Sequence, residues 1–546
     1  MWTRKTMAAI VADEASAKLT RQLRLVDLIA IGIGGTVGSG VFATTGLIIA
    51  HSAGPAAVIS WVIGGLVCLL NGVAYMELSC LVPSSGSTYA YAYHALGELP
   101  AAVAGWLLCL EYGISGAGVA RSWGTKVQAY CETTFAPRTF TWLNEDYYSI
   151  ASVLVESASV IIVLLGVPVG TRFVNVMTTA KVLLVLFIIC ASLSVFTISN
   201  VTPFLPPRNA SSQSYGPQGL VVGVTQAFFG YIGFDEVCCL AAEASDPRTA
   251  VPRAVLGTIL GTMVLSAMAS LALAGMQPCA NVVDFASAFE AHGMVTTAHI
   301  VRVGELLTMP VVVFVSFLAQ PRVTYAMATD GLLPPIFARV DGDGRLRDGT
   351  LLTGGVCTLL AFCVPFEHLW EIISFAILIA FNLANASVLL LRVDDARHVD
   401  VARTVWALLG CSGLGMFAFQ YGLGQDNAVC LVVAVLLLAG AIVATARLVH
   451  PEPRKDTSIY RAPWLPWLPA LATTLNWFLL AQMTRETIVL GCLWMLVGAG
   501  IYFAHGARYS VHHQTRVCVD ESYGLVRAST KAKEPVTDQT RVHLRI

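Results

Sequence analysis

Gly32-Ile33-Gly34-Gly35-Thr36-Val37-Gly38-Ser39-Gly40 puts five glycines into nine residues, in the middle of the first long apolar stretch of the chain. A glycine inside a helix costs about 1 kcal/mol relative to alanine, so a membrane helix containing this stretch is expected to open. Unwound backbone is tolerated at membrane depth only where protein or a wet cavity covers it. Close packing through small residues is the plainer use of such glycines. A second stretch, Phe228-Phe229-Gly230-Tyr231-Ile232-Gly233-Phe234-Asp235, interrupts another apolar segment five segments later. Five is odd, so the two segments run through the bilayer in opposite senses. Paired interruptions in inverted halves point to a secondary transporter. Gly38 to Ala43 also matches a dinucleotide-binding pattern, but no strand precedes it and no βαβ unit surrounds it.

The rest of the chain agrees with a membrane setting. Of 546 residues, 56% are hydrophobic and 12% charged, about half the ~25% charge of soluble domains. A soluble enzyme, a disordered chain, a disulfide scaffold and a coiled coil are excluded, which leaves a polytopic membrane protein. The net charge of −1 gives no bulk attraction to nucleic acid. Fourteen apolar segments begin near Leu25, Pro55, Pro100, Ile150, Val174, Leu220, Ala254, Val301, Leu351, Leu369, Val405, Ala428, Leu465 and Thr487. Pro466 and Pro469 interrupt the thirteenth and Val301 opens the eighth weakly, so twelve is the competing count. An even count puts both termini on one side. With fourteen spans, 26 of the 33 Lys and Arg fall on that side and six on the other, which assigns the termini to the cytoplasm. The loop after the fifth span then faces outward, and it carries two glycosylation patterns, at Asn200 and Asn209. Residues 1–23 read as a cytoplasmic N-tail, 24–392 as the ten-helix core, 393–510 as accessory helices 11–14, and 511–546 as a disordered cytoplasmic C-tail. Met1 to Arg24 is polar and shows no cleavable signal. Cys131 and Cys279 share the outer side, where a disulfide is open to them; no cysteine or histidine set has metal-ligand spacing.

The breaks suit a zwitterion. Freed N–H groups at a half-helix N-terminus hold a carboxylate, and leftover carbonyls hold an ammonium. Four stretches carry a family resemblance. They are Arg24 to Leu28 running into Gly34 to Gly40; Pro83-Ser84-Ser85-Gly86-Ser87-Thr88-Tyr89 with Gly97-Glu98 and Val119 to Trp123; Tyr231 to Asp235 with Glu243, Pro247 and Ala250-Val251-Pro252; and Pro321-Arg322-Val323-Thr324-Tyr325-Ala326-Met327-Ala328 with Asp330-Gly331-Leu332. From Leu23 to Ser510, the chain resembles the cationic amino acid transporters of the amino acid–polyamine–organocation superfamily. The resemblance implies an all-α integral membrane protein with about 14 transmembrane helices. Its core would be a five-plus-five inverted repeat (LeuT-like) with helices 1 and 6 broken. It implies that Val37, Gly38, Ser39 and Gly40 meet the substrate carboxylate. Ile33, Phe229, Gly230 and Ile232 would bound the ammonium and the side-chain stem, with Phe229 as an aromatic gate.

Two charges sit inside apolar runs, and such residues are functional candidates by default. Lys181 matches the span-five lysine that bacterial relatives use in proton coupling, although many animal members lack it; its plainer role is a static cation pinning span five to span one. Glu111 would neutralise a basic substrate side chain or pair with Lys181. Glu98, Glu243 and Arg322 match structural or conformational positions. Glu156 and Glu236 depart from the family and receive no role. The expectation is a transporter of arginine, lysine or ornithine, working by alternating access, driven by membrane potential with proton coupling open. It carries no enzyme activity, cofactor or metal. The rivals are a proton-coupled neutral amino acid transporter and a non-transporting amino acid sensor. The plasma membrane is the expected location, with a lysosomal or vacuolar membrane as the alternative.

Overall fold

The structure, a computed structural model, describes residues 4–5, 22–135, 140–145, 147–208, 215–342, 345–392, 398–448 and 459–511. Asn209 and nearly all of both tails lie outside the described residues. Among the described residues, eleven helices are long and apolar enough to cross a membrane, and two shorter apolar ones, Ile150–Leu165 and Trp467–Ala481, accompany them. A further helix, Arg347–Cys363, supplies the ninth segment. The weakly opening eighth segment divides at Met309 into Val295–Thr308 and Pro310–Thr329.

Glycine contacts report how the helices cross. Gly40 on the first segment meets Gly230 on the sixth backbone to backbone: a Cβ added to Gly40 would lie 2.3 Å from the Gly230 Cα. Further along, Gly233 lies against Thr36, whose amide nitrogen is 3.2 Å from a Cβ built on it. Numbering rises on one segment as it falls on the other, so the two are antiparallel. Gly65 meets Met263 while Gly72 meets Ile259 and Val255, which makes the second and seventh segments antiparallel too. Gly105 against Met327 and Gly113 against Gln320 give the same result for the third and eighth. Partners five apart and opposed in direction are the signature of an inverted repeat. The structure is therefore an all-α membrane fold of the five-plus-five type, with its first and sixth helices broken.

The fifth helix, Val167–Leu193, runs parallel to the first and is fastened to it along one face. Asn175 donates to Asp27 at 2.8 Å, Thr178 to the Ala30 carbonyl at 3.0 Å, and Lys181 to the Gly34 carbonyl at 2.8 Å. Residues spaced by three share a helix face, so about two turns of helix five track two turns of helix one. Among the accessory helices, Asn476 of Trp467–Ala481 joins Asn71 and Asn382 in a fully buried amide cluster. Asn385 donates to Asn71 in the same cluster. Inside a membrane such amides need one another, because no water reaches them.

Candidate functional site

Helix Leu25–Thr36 ends in the glycine stretch, as its composition dictates. Val37 is extended, and Gly38 has φ +154° and ψ −71°, a conformation that side chains disfavour. The helix resumes at Ser39. Its first N–H groups, from Ser39 to Val41, have no intrahelical acceptor, an arrangement able to hold an anion. The counterpart helix, Gly216–Ala227, tightens into the turn Phe228–Tyr231, then opens at Ile232 and at Gly233 with φ +127°. Helical structure resumes at Glu236–Cys239. The two breaks thus lie side by side, each exposing backbone groups within a protein-covered interior.

The sequence-derived residues divide by position. Val37, Gly38, Gly40, Phe229, Gly230 and Ile232 all lie at the paired breaks and are buried; Ser39 is there by its backbone. Phe229 packs edge-on against Phe366 at 5.6 Å, and Phe366 against Trp370 at 5.8 Å. Ile33 is placed differently. Its carbonyl accepts from the Val37 N–H at 2.9 Å, and its side chain lies against Gly261 of the seventh helix.

Lys181 is fully buried, with its ammonium on the Gly34 carbonyl and beside Gly38. The Lys181–Glu111 pair considered from sequence does not form. Glu111 sits on a widened turn, Leu110–Ile114, of the third helix; such single-turn widenings are frequent at functional sites. Its carboxyl faces that of Asp235. Among the described residues, no donor reaches either Glu111 oxygen, although the residue is fully buried. Asp235 accepts from the Tyr112 hydroxyl at 2.7 Å. Two facing carboxylates are both acceptors, so this pair requires a shared proton or a cation. Glu236 adds a third buried carboxyl, and its Oε2 lies 3.0 Å from a Cβ built on Gly35.

An ion pair stands at the tail-side end of the site. Arg322 meets Glu243 at 2.6 Å in a buried bond. The Gln22 and Leu23 amides both donate to the Glu243 carbonyl, which clips the start of the first helix to the end of the sixth. Behind the pair lies a pocket of about 260 Å3, lined among others by Ile31 and Leu240. Glu98 is buried in the first turn of helix Glu98–Cys109, where a carboxylate is favoured by the helix dipole. Glu156 is buried beside Cys357 with both oxygens unpartnered, and nothing in the structure explains it.

Sequence reasoning missed three partnerships. Asp235 faces Glu111. Glu77 binds Arg392 through both oxygens, at 2.6 and 2.5 Å. Lys5 of the N-tail binds Asp330 at 2.6 Å, and Asp330 also takes the Tyr89 hydroxyl. The Tyr231-to-Asp235 motif did flag the first of these. Asn200 donates its amide nitrogen to the Gly275 carbonyl at 3.0 Å. Cys131 and Cys279 are free thiols.

A family model described as amino acid permease matches residues 23–445, and one described as the C-terminus of AA_permease matches residues 460–513. The methylthioribose transporter of Bacillus subtilis (strain 168) is 29% identical over 94% of this chain and 99% of its own length. The cationic amino acid transporter 4 of Mus musculus is 27% identical over 91% and 88%. The branched-chain amino acid permease BcaP of Lactococcus lactis subsp. cremoris is 28% identical over 91% and 96%. Paired helix breaks, inverted repeats and these matches have one reading: the chain belongs to the amino acid permease family, as a cationic-transporter-like member of the amino acid–polyamine–organocation superfamily, and is a transporter rather than an enzyme.

Proposed function

We propose that the protein carries cationic amino acids across its membrane by alternating access. The observation that carries this reading is the buried carboxyl pair Glu111–Asp235, two residues beyond the Gly233 break, in which no described residue donates to Glu111, with Glu236 nearby. Buried carboxylates demand a positive partner. An arginine or lysine side chain brings one, while the N–H edge from Ser39 to Val41 takes its carboxylate. Relatives named as cationic amino acid transporters support the same class. Phe229 closes the site on one side and the Glu243–Arg322 pair on the other. We place both termini in the cytoplasm from the Lys and Arg distribution, and the protein in the plasma membrane.

A single positive charge falling through 100 mV gains about 2.3 kcal/mol. At 1.4 kcal/mol per decade, this supports roughly 50-fold accumulation without a proton. A second reading, proton-coupled uptake of a neutral amino acid, draws on Lys181, which is fully buried without a counter-anion among the described residues, and on the branched-chain relative. Labelled arginine uptake into proteoliposomes, with potential and pH gradient imposed separately, decides between them. Uptake driven by potential alone, and unchanged in Lys181→Ala, gives a facilitative cation carrier. Uptake that needs an inward proton gradient, lost in the variant, gives symport. No arginine flux with robust leucine flux refutes the cationic reading. Ligand binding without any flux identifies a sensor.

A further inference from the structure

The end of the molecule opposite the Glu243–Arg322 pair holds a pocket of about 440 Å3. It lies between Gln226 on the sixth helix, Trp370 and Glu371 on the tenth, and the turn Gln482 to Thr484 between the last two helices. We propose that this pocket is an outer loading site, which holds the cationic group of an amino acid before the molecule passes Phe229 into the central site. The proposal rests on the cationic reading above and adds a second binding position to it.

Four features of the pocket select the ligand. Glu371 is held in place through one oxygen: Oε2 accepts from the hydroxyls of Thr484 and Thr487. No described residue donates to its Oε1. None of the lining residues is basic, so a cation entering the pocket can reach that oxygen without competing with a protein charge. Trp370 beside it supplies an indole, the best ring for stabilising an ammonium or guanidinium. Gln226 accepts the Ser52 hydroxyl on its oxygen at 2.7 Å, so its amide nitrogen remains a donor for the ligand carboxylate. Gln482 is engaged on both amide atoms with Gln420, at 2.9 and 2.7 Å, which stiffens the opposite wall. A carboxylate, an aromatic ring and an amide donor, with no base, fit a cationic amino acid better than a neutral or acidic one.

The position fits a staging role. Trp370 packs on Phe366 and Phe366 on Phe229, an unbroken run of rings from the pocket to the break in helix six. Movement of Phe229 would therefore be felt at Trp370, and a ligand leaving the pocket has the central site one ring stack away.

The test is arginine uptake by the full-length protein in proteoliposomes, with KM and maximal rate read separately for Glu371→Gln and Glu371→Asp. The expected result is a KM raised about 10-fold in Glu371→Gln, a maximal rate within twofold of the unaltered protein, and recovery of most of the KM in Glu371→Asp. A Glu371→Gln KM within twofold of the unaltered value overturns the proposal while leaving arginine transport standing. Absence of arginine flux in the unaltered protein refutes the cationic reading and this site with it. Should Glu371→Gln fail to fold, Met483→Cys in the pocket wall decides. Arginine should slow its labelling by a trimethylammonium thiol reagent at least 5-fold, and saturating leucine should not. No protection by arginine overturns the proposal.

Discussion

Gly38 and Lys181 constrain each other at the centre of the molecule. A Cβ on Gly38 would fall 2.9 Å from the Lys181 Nζ and 2.9 Å from Val312, and its φ of +154° is itself disfavoured for any side chain. Gly38→Ala should cost about 1–3 kcal/mol in strain and abolish most uptake, read as a lowered melting temperature together with flux. Adding Lys181→Ala removes only one of the two clashes and leaves the backbone strain, so the double variant should stay impaired; full recovery would show that the side-chain contact is the whole problem. Glu111 makes the second residue-scale prediction. Glu111→Gln keeps the shape and removes the charge facing Asp235, so arginine affinity should fall about 10-fold, equivalent to about 1.4 kcal/mol. Leucine transport should change less than twofold. Equal losses for both substrates would assign Glu111 to structure. The sequence showed that Lys181 and Glu111 were misplaced for lipid, because charge inside an apolar run is visible in one dimension. It did not show their partners. A Gly34 carbonyl and an Asp235 carboxyl come from other helices, and their approach depends on crossing geometry that no local pattern encodes.

At the scale of elements, the two broken helices were legible and their orientation was not. Five glycines in nine residues announce a break, because they are poor helix material, although close helix packing was the plainer use open to them. Ile33 shows the limit. It precedes the break by one turn, yet its side chain faces Gly261 on the seventh helix, because helix rotation is fixed by the small residues of the neighbour. The clip between helices one and six was half visible: Glu243 and Arg322 belong to recognisable motifs, but their 2.6 Å pairing follows only from the fold. Removing one member of a buried pair costs about 3–5 kcal/mol, because the other charge is left unpaired. Glu243→Gln should therefore favour states open at the tail-side end. With Ile31→Cys as a reporter in the pocket behind the pair, labelling by a small polar thiol reagent should quicken about 10-fold in the Glu243→Gln background. Unchanged labelling would make the pair a packing feature rather than a closure.

The whole molecule brings its ends together. Asp330 receives Lys5 from the N-tail on its side chain, and its carbonyl accepts from Val511 at the far end of the chain. Both ends of the described chain thus reach one face, which requires an even number of crossings. That parity was read from the count of apolar segments in the sequence; the contact at Asp330 was not, since 325 residues separate Lys5 from it. If the tail face is cytoplasmic, a glycan belongs on Asn209 and not on Asn200, whose amide is occupied by Gly275. Asn209→Gln should abolish the glycosidase-sensitive mobility shift and Asn200→Gln should leave it. A charge count across the same barrier gives the remaining test. At about 2.3 kcal/mol per charge per 100 mV and 1.4 kcal/mol per decade, one net charge moves the accumulation ratio by about one decade per 60 mV. Arginine carried alone gives that slope and ignores the pH gradient. Arginine with a proton gives about two decades per 60 mV and shifts with pH. A neutral substrate with a proton gives one decade per 60 mV and also shifts with pH. The Glu111–Asp235 pair favours the first of these, because a substrate cation satisfies it without a proton; a doubled slope that falls to one decade per 60 mV in Lys181→Ala would instead make Lys181 the proton carrier.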